Sequence, residues 1–211
     1  MYEELIKHLI FLHKKAIEYE SKDINGNTIP LRKRFLKDLL FVSFSIITII
    51  NIPKGFSDEF IDYVKDILAI FVGLFLTALI FAYEKIGNII VEDDNIKMSS
   101  QDRVRNIQEY NYSKKFLYAL GYNVILCTIT LLLLFINILF SNVISIDVSN
   151  YKISIIPFKL VNLINFVWIS IVLIQRTIVV YNIINIFYYT LYTVSSLINV
   201  LNIKKQKNDR N

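Results

Sequence analysis

The 211-residue chain has one cysteine, three prolines and five glycines, and no proline or glycine follows Pro157. The single thiol, Cys127, excludes a disulfide framework within the chain and reads as a packing residue inside an apolar block. His8 and His13 are the only histidines; five apart on a helical pattern they do not face one another, so no zinc-type cluster of Cys and His can be drawn. Walker-type GxxxxGK, GxGxxG, GxSxG and HExxH patterns are missing, and the apolar blocks hold neither paired carboxylates nor Ser/His sets. These absences argue against an enzyme, and no catalytic residue, cofactor or metal ligand is expected. Acidic residues are also missing between Asp66 and Glu84 and between Lys115 and Asp147, which argues against a transporter driven by protons or sodium.

What the chain does have is apolar sequence in long blocks: 55% of residues are hydrophobic and the mean hydropathy is +0.48. That pattern predicts an all-α integral membrane protein. The net charge of +5 lies in the segments flanking the blocks, so it speaks first of orientation in a bilayer, and no specific nucleic-acid binding is expected.

Residues 1–28 carry Leu5, Leu9 and Leu12 with Ile6, Ile10 and Ile17 at helical spacing. They predict an amphipathic cytosolic helix lying on the inner membrane surface or against other helices. Residues 29–83 hold two predicted spans. The first, LLFVSFSIITII (39–50), is short and is extended by Phe35, Leu36 and Ile52; Thr28 is a cap for its helix, with Pro30 in the first turn. After NIPKG, Ser57 caps a helix that becomes the uncharged second span, ILAIFVGLFLTALIFAY (67–83). Ala69, Gly73 and Thr77 recur there every four residues, a stripe where another helix backbone can approach. Residues 84–116 form a polar cytosolic helical hairpin. Its Glu92, Asp93, Asp94 cluster lacks the glycine and ligand spacing of an EF-hand and reads as a solvated turn; Asn111-Tyr112-Ser113 matches a glycosylation sequon but faces the cytosol.

Residues 117–176 hold the third and fourth spans. On the third, Asn123, Thr130 and Asn137 are seven apart with Cys127 on the same face. This polar stripe either hydrogen-bonds between helices or lines a pore. From Phe158 nothing breaks a helix before the tail KKQKNDRN, and a helix from Phe158 to Ile203 would be about 69 Å long, more than twice the hydrocarbon thickness. Either a fourth span projects onward, or a fifth follows a turn at Gln175-Arg176. Inner segments hold eight Lys/Arg before residue 39, six from 84 to 116 and five from 176 onward. A fifth span would carry Lys204, Lys205, Lys207 and Arg210 outside, so four transmembrane helices with long cytosolic helical extensions are expected, both termini cytoplasmic. Arg176 then marks the membrane boundary near the inner headgroups. Residues 177–211 form a cytosolic helix and basic tail whose Ile183, Phe187, Thr190, Val194, Leu197 and Leu201 alternate by four and three, a coiled-coil seam predicting a homo-oligomer.

The GLFLTALIF second span followed by the polar hairpin Glu84 to Lys115, with the chain's size and topology, resembles the small four-span membrane subunits of bacterial antiphage defence systems of the Kiwa type. That resemblance implies an oligomer in the inner membrane of a bacterium that senses or perturbs the bilayer and engages a cytosolic protein partner. Richness in Ile, Asn, Lys and Tyr fits a low-GC bacterium. The rival expectations are an ion channel lined by the polar face of the third span and a membrane-embedded enzyme.

Overall fold

The structure is a computed structural model and describes residues 2–23, 25–86, 100–148 and 160–208. Six helices follow one another: α1 (Tyr2–Glu20), α2 (Leu31–Asn51), α3 (Asp58–Ile86), α4 (Ser100–Leu139), the single turn α5 (Ser141–Ile144) and α6 (Leu160–Asn208). No strand occurs among the described residues; Lys22 and Thr28 meet in an isolated antiparallel bridge. The acidic cluster at 92–94 and most of the segment 141–157 beyond Val148 lie outside the described residues.

The helix boundaries follow local chemistry. Ser57 caps α3 as its position implies, its Oγ accepting from the Phe60 N–H at 3.2 Å. Thr28 is engaged in the bridge, and α2 instead begins after Pro30, whose carbonyl accepts from the Lys33 N–H at 3.0 Å. Between α1 and α2 the chain turns at Gly26, φ +87°. Asp23 organises this turn: Oδ1 accepts from the backbone N–H groups of Asn25 (2.9 Å) and Asn27 (2.7 Å), and Oδ2 from the Asn27 amide (3.1 Å).

α4 is one helix of 40 residues and α6 one of 49, so each is about 60 Å or more in length, at least twice a hydrocarbon core. α6 passes through Gln175 and Arg176 without a turn, as the lack of breakers requires. Among the described residues three helices are long and apolar enough to cross a membrane, over Asp58–Ala82, Arg103–Leu139 and Leu163–Lys205, as a membrane protein requires. α2 is not among the three. Arg32, Lys33, Arg34, Lys37 and Asp38 occupy its first two turns, and the apolar remainder, 39–50, covers only about 18 Å.

The chain divides into two compact units. One comprises Met1–Phe35, Phe71–Ile125 and Ile186–Asn211. Its core holds Ala16, Ala119, Leu120, Ile186 and Tyr189 together with buried Asn123, Thr193 and Ser196. α1 packs closely on α4 at Gly121, where an added Cβ would stand 3.1 Å from the Leu12 side chain. The other unit comprises Leu36–Ile70 and Leu126–Asn185, with Ile49, Ile61, Leu68, Leu134, Val172 and Val179 buried around Cys127, Thr130 and Arg176.

The turn after α1 gives the first prediction. The Asn27 and Asn25 N–H groups hold the Asp23 carboxyl below its ordinary value. A depressed folded-state value means the turn is fully stabilised above the ordinary carboxylate range and loosens as pH falls through the lowered value. A carboxyl-carbon NMR titration should place the Asp23 midpoint below about 3.9; a midpoint at or above that would contradict the turn geometry.

Candidate functional site

The sequence offers three sets of residues, and the structure treats them differently. The stripe residues of α4, Asn123, Cys127, Thr130 and Asn137, all turn inward. In the first unit Asn123 is fully buried and its Nδ2 donates to Thr190 Oγ1 of α6 at 2.9 Å; Thr190 in turn donates to the Ile186 carbonyl at 2.7 Å. The Asn123 Oδ1 is buried and has no hydrogen-bond partner. In the second unit Cys127 and Thr130 are fully buried and Asn137 nearly so. Thr130 donates to the Leu126 carbonyl (2.7 Å) and Asn137 to that of Leu133 (3.2 Å), each one turn back on its own helix. One member of the stripe thus ties two helices together, and two spend their donors on their own backbone.

The small-residue stripe of α3 turns outward. Ala69, Gly73 and Thr77 are exposed, nothing approaches within 4 Å of where a Gly73 Cβ would be, and Thr77 donates to the Gly73 carbonyl at 2.9 Å. Among the described residues no helix packs against Gly73 of the stripe.

The expected seam on α6 divides between the two behaviours. Thr190 is held by Asn123, Ile183 is half-buried, and Phe187, Val194, Leu197 and Leu201 are exposed. Leu191, 71% exposed, and Ile198, 52% exposed, stand with them. The outermost ridge is therefore Phe187, Leu191, Val194, Ile198, Leu201, which keeps the alternation of four and three but moves by one residue at its second and fourth members. Asn123 draws the Thr190 side of α6 inward, and the neighbouring position becomes the crest. Within the same unit the Phe187 ring lies 6.5 Å from that of Phe71. Residues 187–190, expected beyond the bilayer, thus run beside residues of the second and third predicted spans.

Arg176 was expected to reach toward lipid headgroups, yet it is 1% exposed. Its Nη2 donates to the carbonyls of Ile144 and Ile146, both at 2.8 Å, and its Nη1 to that of Pro53 at 3.2 Å. The Pro53 carbonyl also accepts the Val148 N–H at 3.1 Å, and the Asp147 carboxylate is the countercharge nearby. Gly55 makes room: φ is +88°, and a Cβ there would sit 2.6 Å from Nη2. Both the backbone and the space demand glycine. An apolar groove of about 310 Å³ between Lys65 of α3 and Thr128, Leu131, Leu132, Leu134, Phe135 and Ile138 of α4 lies in the same unit. A second, of about 360 Å³, runs between Ile46, Ile49 and Ile50 of α2 and Leu173 to Ile178 of α6.

No family model, curated protein or solved structure matches this chain. Its chemistry is read from the geometry alone.

Sequence reasoning missed one further cluster, which fixes α1. The Glu20 carboxylate accepts from Tyr189 Oη at 2.7 Å and Tyr188 Oη at 3.0 Å, and Tyr192 Oη reaches the Tyr19 carbonyl at 3.5 Å. Tyr19 stacks on Tyr118 (5.1 Å between centroids), and Tyr122 meets Tyr189 edge to face at 5.0 Å. Burial pushes the Tyr19 phenol up to about 12, so it stays protonated at neutral pH. His13, against Tyr122 at 5.0 Å, is lowered by burial and then by Arg34. The signal in the sequence was the tyrosine pair itself, which reads only as the polar side of an apolar helix until its partner on α1 is known. Among the described residues no group of three His, Cys, Asp or Glu could hold a metal ion.

Two predictions follow from these anchors. Arg176→Ala and Gly55→Ala each lower the unfolding free energy in detergent by at least about 1 kcal/mol, read as a fall in the unfolding midpoint. In the double variant the effects fall short of additive, because the steric part of the Gly55 cost disappears with the guanidinium; strict additivity would mean the two do not act together. Glu20→Gln keeps only one acceptor oxygen, so deuterium uptake across α1 should rise about 5- to 30-fold while α4 is unaffected; unchanged uptake would remove Glu20 as the anchor.

Proposed function

We propose that this chain is a non-enzymatic polytopic protein of a bacterial inner membrane that works by self-association. In this reading α2 is a fourth, short span, both termini face the cytoplasm, and a cytosolic protein partner reads the assembled state. The observation that carries it is the α6 ridge Phe187, Leu191, Val194, Ile198, Leu201. Five large apolar side chains at heptad spacing stand 50–71% exposed on a helix whose opposite side is packed. A second α6 laid along this ridge would bury these side chains in a knobs-into-holes interface. The likeness in outline to membrane subunits of antiphage systems supports an output of membrane sensing or perturbation.

The channel reading draws less support. Asn123, Thr130 and Asn137 are buried within one chain, so their polar atoms meet a hydrated ion only if the helices rearrange.

Cysteine cross-linking in native membranes tests the assembly, in a Cys127→Ala background. Leu191→Cys and Ile198→Cys should form disulfide-linked dimers on mild oxidation, whereas Ile80→Cys, equally exposed on α3, should not. Monomers throughout would overturn self-association through α6, and dimers from Ile80 alone would move the interface to α3.

A further inference from the structure

The first turns of α2 present charge in an unusual place. Arg32, Lys33, Arg34 and Lys37 stand at the N-terminal end of the helix with no acidic residue in its first turn. A helix N-terminus carries partial positive charge, so cations there are disfavoured, each by about 0.3–1 kcal/mol when exposed. They are not placed to stabilise α2. The side chains of Arg32 and Lys33 are exposed, and neither makes a hydrogen bond or ion pair with a described residue. Lys37 is drawn toward Asp38 at 3.5 Å, which leaves the first turn as the concentrated charge.

Apolar side chains are interleaved with these cations. Leu31 is 81% exposed and Phe35 69%, and the exposed apolar surface continues along α2 through Leu39, Leu40, Phe44, Ile47 and Ile50. α1 differs: Lys7, Lys14 and Lys15 are accompanied by Glu3, Glu4 and Glu18, and Lys15 bonds Glu18 at 2.7 Å. The first turn of α2 thus sets two cations without a described partner next to exposed apolar side chains.

We propose that Arg32 and Lys33, flanked by Leu31 and Phe35, form a docking site for anionic phospholipid headgroups. An acidic segment of a soluble protein would complement the cations but leave Leu31 and Phe35 in water. A negatively charged leaflet complements both, with phosphates at the guanidinium and ammonium groups and acyl chains against the apolar side chains. Arg's planar fork suits bidentate phosphate contact and Lys adds a point charge beside it. The site rests on the membrane reading of the chain and is independent of the α6 ridge.

Native mass spectrometry of the full chain, released from micelles doped with phosphatidylglycerol or phosphatidylcholine, reads lipid retention and oligomeric state in the same spectra. The wild type should retain phosphatidylglycerol in preference, less so as salt rises. Arg32→Gln/Lys33→Gln should weaken that retention by roughly fivefold per cation at low ionic strength, and Lys7→Gln/Lys14→Gln by no more than about twofold. Arg32→Lys/Lys33→Arg, which keeps the charge, should retain most of the preference. Equal retention of the two lipids by the wild type, or equal losses from the two glutamine pairs, would overturn the site. So would displacement of phosphatidylglycerol by soluble polyglutamate, which would assign the cations to an acidic protein segment. Loss of dimers with lipid preference intact would count against the α6 ridge alone.

Discussion

Leaving a polar group without a partner is costly where water cannot reach it, and that cost explains a recurring class of side-chain hydrogen bonds among the described residues. The hydroxyls of Ser45, Thr48, Thr77, Thr130, Ser170, Thr177, Thr190 and Ser196 each donate to the carbonyl four residues earlier in the same helix, and the amides of Asn51, Asn137 and Asn185 do the same. These carbonyls already receive a backbone N–H, but a second lone pair is free to accept one more donor. A guanidinium is different. It has five donors and a full charge, and the flank of a helix offers no cluster of carbonyls to meet them. Arg176 finds its acceptors where helices stop: at Pro53, just past the end of α2, at Ile144, the last residue of α5, and at Ile146 beyond it. Helix ends expose carbonyls with no intrahelical partner and carry partial negative charge, so one buried cation serves there as a shared cap for two connections.

Along the apolar lengths of α3, α4 and α6, polar groups satisfied within the helix leave a mostly apolar exterior, and its faces are not equivalent. The α3 stripe of Ala69, Gly73 and Thr77 would let a backbone come close but offers little side-chain area. The α6 ridge offers large side chains at heptad spacing. A straight helix drifts by about 20° per heptad against a 3.5-residue repeat, so over the two heptads from Phe187 to Leu201 the ridge drifts by about 40° and its five side chains stay within a sector of about 80°. A partner can follow it without supercoiling, which suits a helix held on its other side by Asn123 and by the tyrosines that grip Glu20.

The helices themselves were legible in the sequence because apolar blocks and breakers act locally. The absence of glycine and proline after Pro157 implied an unbroken C-terminal helix, and α6 is unbroken. The cap at Ser57 was equally local. What could not be read were choices made between distant segments. The ridge on α6 is displaced by one residue because Asn123, 67 positions away, takes Thr190. Arg176 looked like a residue on its way to water because its acceptors lie 123, 32 and 30 residues off and are backbone atoms, which carry no side-chain signature. Gly55 read as a turn residue; its second duty, leaving space for a guanidinium, is invisible without Arg176 beside it.

The arginines of this chain illustrate why composition alone misleads about charge in a membrane protein. Arg176 lies in apolar sequence and looks costly, yet three carbonyls and a nearby carboxylate offset its desolvation, so it has nothing left to offer an outside partner. Arg32 lies in a polar flank and looks ordinary, yet it stands at the disfavoured end of a helix dipole with no acceptor of its own. The interaction energy available to an external anion therefore sits with Arg32 and Lys33. On the proposed inner-membrane reading, cations gather on the cytoplasmic side, where the leaflet is itself anionic, and the pair proposed to dock lipid would also orient α2 during insertion.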